Sequence, residues 1–152
     1  MKTLMIGLAA LGMAGAAHAQ APQEWRYAGG TPEGGVVLGV DTNSIRRDGS
    51  EASMWVIAVG PRTQADGIDF LLMRYSFDCG AGTAVIGIEE GYRLDGTRLT
   101  GMAYDRTPHV PPANTFDGGF VRMACNGEIN RQSDALPTAA AFARVGRSFL
   151  TE

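Results

Sequence analysis

The sequence predicts an α+β domain, an antiparallel β-sheet of about six strands with a C-terminal helix flanking it. Two observations carry this. Apolar residues alternate or run unbroken over strand lengths across residues 25–105, punctuated by Gly, Asp, Asn and Pro. Residues 136–150 instead place Ala139, Phe142, Val145, Gly146 and Phe149 at helical spacing.

Residues 1–19 come first: Lys2, then a run of small and apolar residues ending in Ala17-His18-Ala19. This is the pattern of a secretory signal peptide, with cleavage expected between Ala19 and Gln20. The run is short for a membrane span, and no cysteine follows it to take a lipid anchor, so a free periplasmic or secreted protein without a transmembrane anchor is expected. Removing 19 of 152 residues leaves 133, enough for one domain with a real core. The chain divides into the leader 1–19, a sheet domain 20–131 and a C-terminal helical segment 132–152.

The first two strands are expected at 25–28 and 36–41, separated by a Gly-rich turn. Residues 53–59 put Trp55, Ile57 and Val59 on one side and Met54, Val56 and Ala58 on the other. A strand apolar on both sides belongs in the middle of a sheet. Residues 68–79 place Leu71, Met73, Tyr75, Phe77 and Cys79 on one face. Strands at 84–92 and 98–105 flank Asp95-Gly96, a strong hairpin signal, and Asp48-Gly49 plays a similar part before Trp55.

Three prolines in RTPHVPPAN, residues 106–114, preclude a central strand and favour exposed, extended backbone. Residues 116–125 fit two readings. Phe116, Phe120, Met123 and Ala124 form a helical stripe beginning at Asn114 or Thr115, weakened by Gly118-Gly119, while Val121, Met123 and Cys125 suit a strand equally well. The C-terminal helix is expected over 136–150, capped by Ser133 or Asp134, with Pro137 in its first turn. Its stripe of Phe142, Val145 and Phe149 needs a cover, either its own sheet or the same helix of a second copy in a homodimer.

Cys79 and Cys125 are the only cysteines, and in an exported chain an even count reads as a disulfide. No C-x-x-C spacing and no histidine cluster supports a metal or redox pair. Closing so long a loop stabilises a fold by about 4 kcal/mol on the chain-entropy account.

Twelve arginines and sixteen acidic residues remain beyond Lys2, a net charge of −4, with Arg46-Arg47 the only adjacent cationic pair. No basic stripe tracks a phosphate backbone, so nucleic acid is not an expected partner. No nucleophile-elbow, zinc-protease, P-loop or dinucleotide-binding motif occurs, no cofactor is implied, and no enzymatic activity is expected. His109, the one histidine after the leader, reads as a loop residue rather than a general base. Asp41-x-Asn43 opens like a calcium loop, but Ile45 and Ala52 break the oxygen-ligand pattern, and an Asx-type turn into Ser44 is the better reading. Glu89 and Glu90 point to opposite faces of a strand and form no carboxylate pair. Trp25, Tyr27, Tyr92 and Tyr104 could make a binding surface, but aromatics favour strands and pack there anyway.

The ordered set Trp25, Val40-Asp41, Ser44-Ile45-x-Arg47-x-Gly49, Trp55, Phe77-Asp78-Cys79, Tyr92-x-x-Asp95-Gly96, Val110-x-Pro112 and Cys125 resembles the surface-adhesin protein E family of exported bacterial domains. The resemblance covers residues 25–125. It implies an antiparallel sheet with a helix flanking one face and the two cysteines bridging sheet to helix, and so favours the helix at 116–125. It further implies an adhesin-like module whose partner is an envelope or extracellular macromolecule. The founding adhesins look like lipid-anchored surface proteins, whereas this chain has no lipidation cysteine near the expected cleavage point, and the helix after Leu136 is an extra element. The exposed candidates for a partner-binding surface are the turn at Arg46 and Arg47 and the loop carrying Thr107, His109, Val110, Pro111, Pro112 and Asn114. A small-molecule or lipid carrier, with its ligand between sheet and C-terminal helix, is the alternative, followed by a hydrolase with an unrecognised site.

Overall fold

The computed structural model describes residues 22–31, 35–103 and 107–150; the expected leader and Tyr104 lie outside them. Six strands form one antiparallel meander in chain order: β1 (Trp25–Thr31), β2 (Val36–Asp48), β3 (Glu51–Val59), β4 (Phe70–Asp78), β5 (Thr83–Tyr92) and β6 (Arg98–Ala103). Short connections and one longer one, residues 60–69 between β3 and β4, permit this order. Gly49 and Gly96 take the left-handed backbone, at φ 58° and 91°, which the two Asp-Gly signals call for.

Strand ends differ from the expected ones where hydrogen bonding overrides composition. β1 continues to Thr31 because its register shifts between Tyr27 and Gly29, leaving Gly29 and Gly30 paired with Leu38 and Val37. β2 continues to Asp48 through a wide bulge: Asp41 pairs with Trp55 and Arg46 with Ser53. The buried Asp41 carboxylate organises that bulge by accepting from the backbone N–H of Asn43 at 3.1 Å and of Glu24 at 2.9 Å. Ser44 Oγ donates to the Asp41 carbonyl and accepts from the Trp55 N–H that the bulge would otherwise orphan. This is the Asx-type turn the sequence predicts, with the carboxylate committed to backbone. β4 begins at Phe70 rather than 68 because Ile68 closes a turn onto Gln64.

The sheet is buried on both faces, and each face has its own helix. One face presents Leu38, Val40, Ala52, Met54, Val56, Tyr75, Phe77 and Ala84 to Phe120 and Ala124. The other presents Trp25, Val37, Ile57, Val59 and Phe70 to Ala139, Phe142 and Ala143. Val56 and Ile57, adjacent on β3, are both fully buried, one in each core. Tyr92 stacks on Phe70 with ring centroids 5.3 Å apart, so it packs as expected of a strand aromatic.

Residues 116–125 are helical: α1 (Phe116–Val121) runs directly into a π-type turn (Arg122–Asn126). Thr115 caps α1, its Oγ1 accepting from the Gly118 N–H. The helix-weakening Gly118 has a local reason. A Cβ there would collide with the Pro112 carbonyl, so glycine lets the helix lie against its own lead-in loop. Cys125, in the π turn, is bonded to Cys79 just past β4, with Cα atoms 5.5 Å apart. The disulfide thus ties this helix to the sheet.

The C-terminal helix, α2 (Ala139–Ser148), begins three residues later than expected, and its cap is Thr138 rather than Ser133 or Asp134. Leu136 is held extended beside β1, exchanging both backbone hydrogen bonds with Trp25 at 2.9 Å, so the helix cannot start before it. Phe142 lies over Gly39, where any side chain would collide with the ring. Near its other end, Arg147 donates to the Asp69 carboxylate and carbonyl, both at 2.8 Å. The stripe is only partly covered: Phe142 is buried, but Val145 and Phe149 are 43% and 65% exposed. Helix and sheet meet along Ala139, Phe142, Ala143 and Gly146, the last against Val37, and Val145 and Phe149 lie to one side of that contact.

Burial by itself raises the Asp69 carboxyl, but hydrogen bonds from Thr63, Arg147 and the Leu94 N–H outweigh it and hold the group below its usual range. A carboxyl so lowered binds fewer protons folded than unfolded in the window between its two values, so its stabilising contribution is complete above about pH 4 and is lost as pH falls through the folded value. Asp69→Asn should therefore lower stability by about 3 kcal/mol at pH 7. Urea unfolding from pH 7 to pH 2 should show the difference between variant and parent shrinking below pH 4. Cys79→Ala should lower stability by about 2–5 kcal/mol, read from the urea midpoint of non-reduced protein.

Candidate functional site

The two loops proposed for partner binding are brought to one end of the sheet. Arg47, Ala52, Phe77, Ala84 and His109 form a single row of register across β2, β3, β4, β5 and the Pro-rich loop. His109 exchanges backbone hydrogen bonds with Ala84, taking the place beside β5 that β6, paired further along, leaves open. Residues directly opposite in a sheet share a face, so Arg47 and His109 flank the face that carries α1.

Both side chains hold that helix. Arg47 donates to the carbonyls of Ala124 and, at 3.1 Å, Met123, at the helix C-terminal end where a cation is favoured. His109 Nε2 lies 3.5 Å from Asp117 Oδ2 in the first turn of α1, and the buried Tyr75 donates its hydroxyl to Asp117 Oδ1 at 3.1 Å. Asp117 and Tyr75, which carried no sequence motif, are what give His109 a partner. The trio joins loop, helix and sheet, and every contact in it is internal to the fold.

The remaining candidates divide between surface and core. Arg46, Thr107, Val110, Pro112 and Asn114 are exposed, with Val110 at 69%. Pro111 is buried, against the expectation of a wholly exposed loop, because the bridge at Ala84 draws the backbone onto the sheet. Arg46 and Arg47, adjacent on a strand, bond different carbonyls, Arg46 those of Asn43 and Ile45 and Arg47 those of Met123 and Ala124. A polar depression of about 430 Å³ includes Arg46, Arg47, Arg74, Ser53 and Ser76, but Asp48, Glu51 and Asp78 line it too and balance its cations. Among the described residues no group of His, Cys, Asp or Glu converges as a metal site would require.

A larger concavity lies on the other face, between α2 and the β1–β2 edge. It has a volume of about 550 Å³ and is lined by Tyr27, Gly30 and Val37 of the sheet, by Ser133, Asp134 and Leu136, and by Phe142, Val145, Gly146, Phe149 and Leu150. Three constraints shape it. The Trp25–Leu136 bridge fixes one wall, Phe142 seats the helix on Gly39, and the Arg147–Asp69 pair anchors the far side of α2. Tyr27, 46% exposed, stands in the opening with Val145 and Phe149. The sequence marks Phe142, Val145 and Phe149 as a stripe needing a cover, but carries no signal that the sheet would cover only part of it.

Compared with known protein families, with characterised proteins and with solved structures, the chain matches none. The cleft and the loop must therefore be read from their own chemistry.

Arg47→Met, which keeps the apolar stem but removes the charged donor, should lower stability by about 1.5 kcal/mol. His109→Ala should cost less than about 1 kcal/mol, because its contact with Asp117 is partly exposed. Urea unfolding of both at pH 7 checks that order.

Proposed function

We propose that the protein is exported, cleaved between Ala19 and Gln20, and serves in the periplasm or outside the cell as a non-enzymatic binding domain whose site is the α2 cleft. Its ligand is an apolar small molecule. The observation that carries this is the cleft itself: about 550 Å³, lined almost wholly by aliphatic and aromatic side chains, several left open to water. That volume falls within the range of small-molecule pockets, and a wall of Val, Leu and Phe gains free energy when it loses contact with water. The disulfide fits an oxidising compartment, and among the described residues no helix is long and apolar enough to cross a membrane.

A second, adhesin-like reading rests on Val110, a large apolar side chain exposed on the Pro-rich loop beside Pro112 and Asn114. There the partner would be an envelope or extracellular macromolecule, engaged through loop side chains.

The uncharged, environment-sensitive dye Nile red tests the cleft. The protein should bind it with enhanced fluorescence, and Phe149→Glu should weaken binding at least tenfold. Phe149 is exposed enough for the fold to tolerate the change within about 0.5 kcal/mol, which a thermal melt checks. Equal dye binding by both proteins, or none by either, overturns the reading. Sedimentation showing a dimer that Phe149→Glu converts to monomer assigns the cleft to a second copy instead.

A further inference from the structure

The polar groups of the cleft differ from its walls in a way that discriminates between ligands. Among the described residues Asp134 is the only charged side chain lining it, and Asp134 is exposed. Ser133 Oγ is shielded from water and bonds no described residue, nor does the Tyr27 hydroxyl. Of the nearby arginines, Arg26 bonds Glu24 and the carbonyls of Arg131 and Ser133, Arg144 bonds the Leu94 carbonyl, and Arg147 bonds Asp69, while the exposed Arg131 is not part of the lining. Among the described residues no cation lines the cleft to receive an anionic head group, while a carboxylate does.

We infer that the cleft selects apolar molecules carrying a hydrogen-bond-donating head, an amine or a hydroxyl, over those carrying a carboxylate. This rests on the cleft being the ligand site. An aliphatic tail lies along Val37, Phe142, Val145 and Phe149, and the head meets Asp134, which shares the lining with them. A carboxylate placed there faces a like charge beside an apolar wall and gains no cation in exchange for its lost hydration. An ammonium gains an opposite charge, and a hydroxyl gains an acceptor without a desolvated charge. The cleft's preference thus runs amine, then alcohol, then acid.

Displacement of Nile red by decylamine, decanol and decanoate, each below its micelle-forming concentration at pH 7, tests this. Decylamine and decanol should displace the dye at concentrations at least tenfold lower than decanoate. Asp134→Asn should narrow the gap between amine and acid, and Asp134→Lys should reverse it; Asp134 is exposed, so both variants keep the fold. Decanoate displacing as well as the other two overturns the inference while leaving the cleft reading intact. A preference that survives unchanged in Asp134→Lys also overturns it. Dye that binds but yields to none of the three overturns the inference alone, whereas dye that never binds removes the cleft reading and the inference with it.

Discussion

β3 is buried on both faces, and the rest of the architecture follows from that constraint. Its neighbouring residues Val56 and Ile57 enter different cores, so the sheet cannot be completed by a single cover. A helix on one side alone would leave Ile57, Val59, Phe70 and Trp25 against water, or else Met54, Val56, Tyr75 and Phe77. At about 25 cal/mol per Å² of apolar surface, either loss would be large against the 5–15 kcal/mol by which a domain is stable. Two helices on opposite faces resolve the problem.

The helices are fastened by different means, and the difference decides where a ligand could enter. α1 with its π turn is short and contains two glycines, so it contributes little helix propensity of its own. It is held at several points: Thr115 at its cap, His109 and Tyr75 through Asp117, Arg47 at its carbonyl end, and the Cys79–Cys125 bond. α2 is longer and is held by Phe142 on Gly39, by the Trp25–Leu136 bridge and by Arg147 on Asp69. Those contacts seat one side of α2 and leave its other side standing away from the β1 edge. The clamped face is occupied by internal bonds, and the open side of α2 forms the cleft.

This division separates the two candidate surfaces. The Pro-rich loop is paired to β5 through His109 and Ala84 and leaves Val110 exposed. The cleft is a concavity with apolar walls and, among the described residues, one carboxylate in its lining. A macromolecule would read the first through surface complementarity, and a small amphiphile would read the second through burial of its tail.

Much of the fold was legible because it rests on local period. The apolar run of residues 53–59, the alternation in 68–79, the two Asp-Gly turns and the helical spacing after Leu136 are each fixed within a few residues of chain, and the pairing of Cys79 with Cys125 followed from there being no other cysteine. The Asx turn at Asp41 was legible for the same reason. What the sequence left open was whatever depends on residues far apart meeting. Residues 116–125 had two possible periods, and the face of the sheet, the disulfide and the Arg47 clamp decided for helix. The start of α2 was set by Leu136 pairing with Trp25 across more than a hundred residues, which no cap signal near Ser133 could reveal. His109 acquired its partners Asp117 and, through it, Tyr75 only when loop, helix and sheet converged. Periodicity shows that Phe142, Val145 and Phe149 share a side of one helix; only the seating of that helix, with Ala139, Phe142, Ala143 and Gly146 turned to the sheet, decides that Phe142 is covered while Val145 and Phe149 line an open cleft.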